Sequence, residues 1–201
     1  MHCIMFETLN RAWFLSINAQ PGTPEGIITF ARFCADGTIF FIPVLLLWLW
    51  FFTGETGRRQ ALFCALTIEI ALGLGALSGL FYFHPRPFMI SLGYTWIHHT
   101  PDNSFPSDHA TLLISAGLSL FMSRAKITGS IVMTLALFAA WARVFLGVHF
   151  PMDMVGAAVV SVLAYGIAFT LWKWWGDALT TLCAAISAKL FFWLPKRFTP
   201  Q

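Results

Sequence analysis

The chain has 201 residues, 58% of them hydrophobic and only 10% charged, with a formal net charge of +3. A water-soluble domain carries about 25% charged residues, so this composition cannot cover a solvated surface. With a mean hydropathy of +0.73 it reads as an integral membrane protein, and the small net charge without basic runs excludes nucleic acid as a partner.

The predicted fold class is all-α: a polytopic membrane helix bundle with five or six membrane helices, forming one domain over residues 1–201. Residues 1–23 form an N-terminal segment whose 4–17 stretch mixes Leu9, Trp13 and Phe14 with Glu7, Asn10 and Arg11, the pattern of an interfacial helix. This start has no basic, apolar and small-residue sequence of a signal peptide, and "NAQPGTPEG" breaks the helix. The first span is expected at about 27–52, with Arg32 and Asp36 spaced to pair along one face. "TGETGRRQ" reads as a polar loop, and the second span follows at about 61–83. Glu69 within it is costly in hydrocarbon, so it is expected to face the bundle, as a hydrogen-bond partner or a cavity wall. A polar connection at 84–107 precedes a short third span from 108 or 109 to 122; the fourth covers about 127–145 and the fifth about 153–175. The apolar stretch 178–194 reads as a separate interfacial or sixth membrane helix, with the interfacial reading preferred.

Cys3, Cys34, Cys64 and Cys183 are scattered without any CxxC pair, so they read as small packed or lipid-facing residues. Arg58, Arg59, Arg124, Lys126 and Lys173 fall at alternate span ends, and the positive-inside rule makes that side cytoplasmic. The 84–107 connection and the 144–153 turn then share the outer side, while Lys196 and Arg197 lie inside if there are five spans.

Three polar clusters converge on that outer side: "HPRPF" with Arg86, "PSDH" with Ser107, Asp108 and His109, and "ARVFLGVHFPMD" with Arg143, His149 and Asp153. These residue types suit a tetrahedral anion. Arginine offers a planar fork to phosphate oxygens, and a helix start offers free N–H groups. Two histidines can divide nucleophile and general-acid roles, and a carboxylate four residues after His149 can orient its ring.

The three clusters, in this order, resemble the type-2 phosphatidic acid phosphatase superfamily, whose signature reads K-x6-RP, PSGH and SR-x5-H-x3-D. The likeness covers roughly residues 27–175, the expected catalytic bundle, and "SFPSDHAT" is most similar to undecaprenyl-diphosphate phosphatases of the bacitracin-resistance type. The resemblance implies a membrane phosphatase domain in which His149 attacks phosphorus and forms a phosphohistidine while Asp153 orients it. It also implies that His109 protonates the leaving oxygen and later activates water, and that Arg86, Arg143 and Ser107 hold the phosphoryl oxygens. Asp108 is placed beside them in the substrate-binding set. No metal or other cofactor is implied. The implied partner is a polyprenyl diphosphate lipid in the bilayer of a bacterial inner membrane, with the site facing outward, and nothing bears on oligomeric state.

Gly79, Ala142 and Asp108 depart from the signature's lysine, serine and glycine, with His84 or a nearby donor as the available substitute for the lysine. Asp108 can cap the third span or hold His109 protonated, and an N-cap role explains Ser107 nearly as well as phosphate binding does. His98 and His99 read as loop residues, and Tyr94 and Trp96 as interfacial. A broader lipid phosphatase, a lipid phosphotransferase and a non-enzymatic lipid-binding or transport protein stay open beside the diphosphatase reading.

Overall fold

Long apolar runs must satisfy their own backbone polar groups in hydrocarbon, which makes the helix the default. The computed structural model describes the backbone of residues 2–191 and the side chains of residues 5–191; Cys3's side chain, Lys196 and Arg197 lie outside these. Six helices follow one another: α1 (His2–Ile17), α2 (Glu25–Phe52), α3 (Gly54–Phe81), α4 (Asp108–Met122), α5 (Lys126–Phe145) and α6 (Pro151–Leu190). Among the described residues α2, α3, α5 and α6 are long and apolar enough to cross a membrane, and α4 is a shorter apolar helix. The chain is a polytopic helical membrane protein.

The short α4 is the bundle's axis, packed by α3, α5 and α6. Its Leu113, Ala116 and Leu120 join Ile42, Leu45 and Leu49 of α2, Cys64 and Ile68 of α3, and Val132, Ala136 and Ala139 of α5 in one core. Close approach depends on small residues: a Cβ at Gly129 of α5 would lie 2.4 Å from the Phe121 backbone nitrogen. Enclosure by neighbours explains how a helix of 15 residues, about 22 Å long, sits inside a bundle of longer ones.

α2 is irregular at a predictable place. Pro43 has no N–H for the Ile39 carbonyl, and just before it the helix passes through a π turn at Phe33–Gly37 and a 3-10 turn at Thr38–Phe40. The expected Arg32–Asp36 pair is not formed, because each side chain has a different partner. Arg32 instead bonds Glu25 at 3.1 Å and the Trp96 carbonyl at 3.2 Å, and Asp36 bonds Arg143 at 2.9 Å.

Three further expectations change. "TGETGRRQ" is not a loop, since α3 starts at Gly54 immediately after a turn at Thr53. Glu69 lies exposed on the outer face of α3, because the inward positions are held by Ala61, Cys64, Ile68, Ala71 and Gly75. No break separates 153–175 from 178–190: α6 runs on as one helix of 40 residues, about 60 Å against a hydrocarbon core of about 30 Å. "DALTTLCAAISAKL" is rich in helix formers, and its continuation is held by Arg59 on Asp177, by Trp50 on Ser187 (3.1 Å) and by the Phe51–Phe191 ring contact. These contacts, with Gln60 on the Ser123 carbonyl (3.0 Å), gather Arg58, Arg59 and the 123–126 turn at one end of the bundle.

The opposite end carries the polar connections, and α1 is clamped to it. Phe14 is buried beneath Phe150, with ring centroids 5.3 Å apart, while Asn10 accepts the Met152 N–H at 3.1 Å. Asn18 pairs both ways with the Tyr94 backbone (2.7 and 2.8 Å). Met5, Phe6, Leu9, Trp13 and Leu15 remain exposed, so α1 turns polar Asn10 inward and apolar residues outward. That inversion suits a helix whose outer side meets lipid.

Candidate functional site

The 84–107 connection doubles back on itself. Pro85 bridges Asn103 antiparallel, the Ser104 N–H donates to the His84 carbonyl (2.8 Å), and the His84 N–H donates to Asn103 Oδ1 (2.7 Å). This fold-back sets Arg86 beside residues 102 and 103. Its Nε donates to Asp102 Oδ1 (2.7 Å), Nη2 to the Asn103 carbonyl (3.1 Å) and Nη1 to the Val148 carbonyl (2.9 Å). Arg86, buried at 4% exposure, thereby stitches the two polar connections together.

The second connection is the end of α5. Glycine just past a helix adopts the left-handed conformation that other residues avoid, and Gly147 does so with φ +85°. A Cβ there would also stand 2.1 Å from the Tyr94 carbonyl oxygen. The turn delivers His149, 1% exposed, among three partners. Its Nδ1 lies 3.2 Å from Asp153 Oδ2 and 3.3 Å from Ser104 Oγ, and its Nε2 lies 2.9 Å from Arg86 Nη1. Asp153 Oδ2 also accepts the Ser104 hydroxyl (2.5 Å) and the Phe150 N–H at the start of α6 (2.8 Å).

A guanidinium can only donate, so this network assigns the imidazole proton to Nδ1 and leaves a lone pair on Nε2. Burial pushes His149 down to about 4, against the opposing pull of Asp153, so the ring is neutral near pH 7. Asp102 is held below the usual carboxylate range: burial acts to raise it, and the bonds from Arg86 and Thr100 outweigh that.

The third element is the start of α4. Ser107 is fully buried at the N-cap position, yet its hydroxyl makes no capping bond and has no hydrogen-bond partner among the described residues. Its N–H reaches the Asp153 carbonyl at 3.4 Å. The Ser107 side chain therefore does not cap α4. Asp108 is exposed at the rim, within electrostatic reach of Arg86, Asp102, Arg143 and His99. The acid that approaches His109 is Asp36, at 4.0 Å, and the same oxygen accepts Arg143 Nη1 at 2.9 Å. Arg143 is 2% exposed and its Nε has no partner among the described residues.

Of the residues singled out in the sequence, His149, Asp153 and Arg86 are in direct contact, and His109 and Arg143 meet at Asp36. Ser107 joins them through its backbone, while Asp108 stays at the edge. His84 does not stand in for the signature lysine, because it is buried between Glu7 and Asp153. The space beside Gly79 belongs to Asn103, whose Nδ2 lies 3.0 Å from where a Cβ would be. Ala142 packs with Ala31, Ala35 and Leu146, an apolar setting with no need of a hydroxyl.

The sequence pattern gave Asp36 only as a partner for Arg32 and Glu7 only as part of an interfacial helix, did not single out Asp102 or Ser104, and placed His99 in a plain loop. His99 is half-buried with its ring 6.2 Å from that of His149, and burial lowers it from the ordinary imidazole value. The one available signal was local: Asp102 and Ser104 flank Asn103 in the stretch that leads into "PSDH".

A buried dyad of histidine and carboxylate, two buried arginines and a second histidine thus gather at one end of a polytopic helical membrane protein. The chain belongs to the PAP2 superfamily, whose profile matches residues 60–178. It is 36% identical to the putative undecaprenyl-diphosphatase YbjG of Escherichia coli over 87% of this chain and 88% of that protein. It is 31% identical to the undecaprenyl-diphosphatase BcrC of Bacillus subtilis over 65% of this chain and 67% of that one. The fold is similar to that of LpxE from Aquifex aeolicus, with a TM-score of 0.62 at 22% identity, covering 81% of this chain and 95% of that one.

Proposed function

We propose that this protein hydrolyses undecaprenyl diphosphate to undecaprenyl phosphate and phosphate through a phosphohistidine on His149. The reading rests above all on the contact set in which Asp153 holds Nδ1 of a buried, neutral His149 while Nε2 keeps its lone pair. The similarity to relatives named undecaprenyl-diphosphatases supports the choice of lipid.

In this mechanism the terminal phosphoryl group draws Arg86 Nη1 away from Nε2, which frees the lone pair to attack phosphorus. The new N–P bond forms as the bond to the bridging oxygen breaks, and His109 supplies the proton that this leaving oxygen needs. Asp153 stabilises the imidazolium charge developing on His149. Arg86, Arg143 and Ser107 hold the phosphoryl oxygens; the unpartnered Arg143 Nε and Ser107 Oγ are buried polar groups whose cost such oxygens offset. Asp108 stands at the rim where the diphosphate enters. His109 then takes a proton from water, and the resulting attack releases phosphate and restores His149.

The positive-inside rule, with Arg58, Arg59, Arg124 and Lys126 at the far end of the bundle, supports an outward-facing site, and the similarity to bacterial diphosphatases supports a bacterial inner membrane. There the reaction recycles carrier lipid for cell-wall synthesis, and it is expected to confer bacitracin resistance. The test is phosphate release by purified protein from undecaprenyl diphosphate, phosphatidic acid and phosphatidylglycerol phosphate in parallel. The diphosphate is expected to be the preferred substrate and His149→Ala inactive. Undiminished release by that variant, or preference for a monophosphate lipid, would falsify the proposal.

A further inference from the structure

Behind the dyad lies a third histidine, which the mechanism above does not use. His84 is 8% exposed, and both of its ring nitrogens face carboxylates. Nδ1 is 3.5 Å from Asp153 Oδ1, and Nε2 is 3.4 Å from Glu7 Oε2 of α1. His84 Nδ1 and Asp153 Oδ1 are both buried, face each other at ion-pair distance, and have no hydrogen-bond partner among the described residues. The remaining Glu7 oxygen accepts Arg11 Nε at 2.7 Å.

A neutral imidazole carries one N–H and one lone pair, so in this position its lone pair would face a carboxylate. Only the imidazolium donates on both sides. The ring faces agree: Tyr82 stacks at 5.9 Å with planes 13° apart, and Phe150 lies at 5.0 Å, the electron-rich setting a cation prefers. His149 has the opposite surroundings, a carboxylate at Nδ1 and a guanidinium at Nε2, which suit the neutral ring. Asp153 therefore stands between two imidazoles with contrary requirements.

We propose that His84 is a positioning residue that holds a positive charge on the far oxygen of Asp153, anchored by Glu7, so that His149 stays neutral and its Nε2 lone pair remains available. The idea rests on the reading of His149 as the nucleophile. The charged groups bearing on His84 are Glu7 from α1 with Arg11 behind it, Asp153 from α6 with His149 beyond, and Arg86 two residues along its own connection. Asn103, Tyr82 and Phe150 are its uncharged neighbours. The bond to Asp153 first, and the charges of Asp153 and Glu7 with it, raise His84 above the ordinary imidazole value although burial acts the other way. An interfacial helix thus reaches the nucleophile through three side chains.

The experiment uses the full chain in detergent micelles with ring-¹⁵N histidine. At pH 7 the His84 signals, identified by their loss in His84→Asn, are expected to be those of an imidazolium, and neutral-imidazole shifts overturn the proposal. The same preparation yields the pH profile of kcat/KM on undecaprenyl diphosphate. Without the cation, Asp153 favours protonation of His149, so the acid limb in His84→Asn should move up by roughly one pH unit. Glu7→Gln should move it the same way by less, and it carries the kinetic test if His84→Asn does not fold. A purely structural role lowers activity equally at every pH, so an unmoved limb refutes the relay. Absence of diphosphate hydrolysis by the wild type refutes the proposed function instead, and the spectrum still decides the charge on His84.

Discussion

Arg86→Lys separates the scaffold from the chemistry at one position. Arg86 makes four contacts through three nitrogens: Asp102 Oδ1, the Asn103 carbonyl, the Val148 carbonyl and His149 Nε2. A lysine ammonium is a point donor on a flexible stem, so it can keep the Asp102 pair or the Val148 carbonyl, but not the planar fork that spans both. Half-exposed Asp102 is the weaker hold. At least one carbonyl then loses its donor inside the structure, at about 1–3 kcal/mol each. With two carbonyls at stake the expected loss is about 2–6 kcal/mol, or a fall in Tm of roughly 4–24 °C for a chain of this size. Thermal unfolding in detergent followed by circular dichroism measures it, and it needs no substrate. A Tm within 2 °C or so of the wild type would show that Arg86 does not tie the two connections together.

Other consequences are as direct. Gly147→Ala puts a Cβ 2.1 Å from the Tyr94 carbonyl oxygen at φ +85°, so the turn must shift, and turnover is expected to fall at least about tenfold; an unchanged kcat contradicts a tightly set turn. His109→Ala should lower kcat by about 10²–10⁴-fold while KM changes little, the pattern of a lost proton donor, and near-normal turnover removes His109 from that role. The native chain withholds a proton from His149 between its ordinary 6.5 and about 4, whereas the unfolded chain binds one. Stability therefore falls as pH drops through that window, by up to about 3 kcal/mol. His84, raised, works in the opposite sense: its contribution is full below about pH 6.5 and is lost as pH rises through its native value. Unfolding at pH 7 and 4.5, compared between wild type and His149→Asn, isolates the first effect; equal pH dependence in both proteins rules it out.

What the sequence determined by itself follows from local physics. Hydropathy placed the spans because hydrocarbon allows few alternatives to a helix, and "PSDH" before an apolar run marked the start of α4 at 108 or 109, where it begins at Asp108. The four-residue spacing of His149 and Asp153 predicted their proximity because one helical turn spans it. Breaks were less legible: "TGETGRRQ" and the 176–178 stretch look like loops by polarity, yet helix formers backed by tertiary contacts keep both helical.

Only the tertiary structure decided which charges face each other. Asp36 meets Arg143 across 107 positions of sequence, Asp153 meets Ser104 across 49, and Glu7 meets His84 from a helix that looked merely interfacial. Glu69, read as inward on cost alone, is outward because smaller residues fill the helix face that packs. Such pairings depend on helix rotation and on how a loop folds back. Those are set by the fit of Leu113, Gly129 and their neighbours in the core, and a polar residue's own identity says little about them.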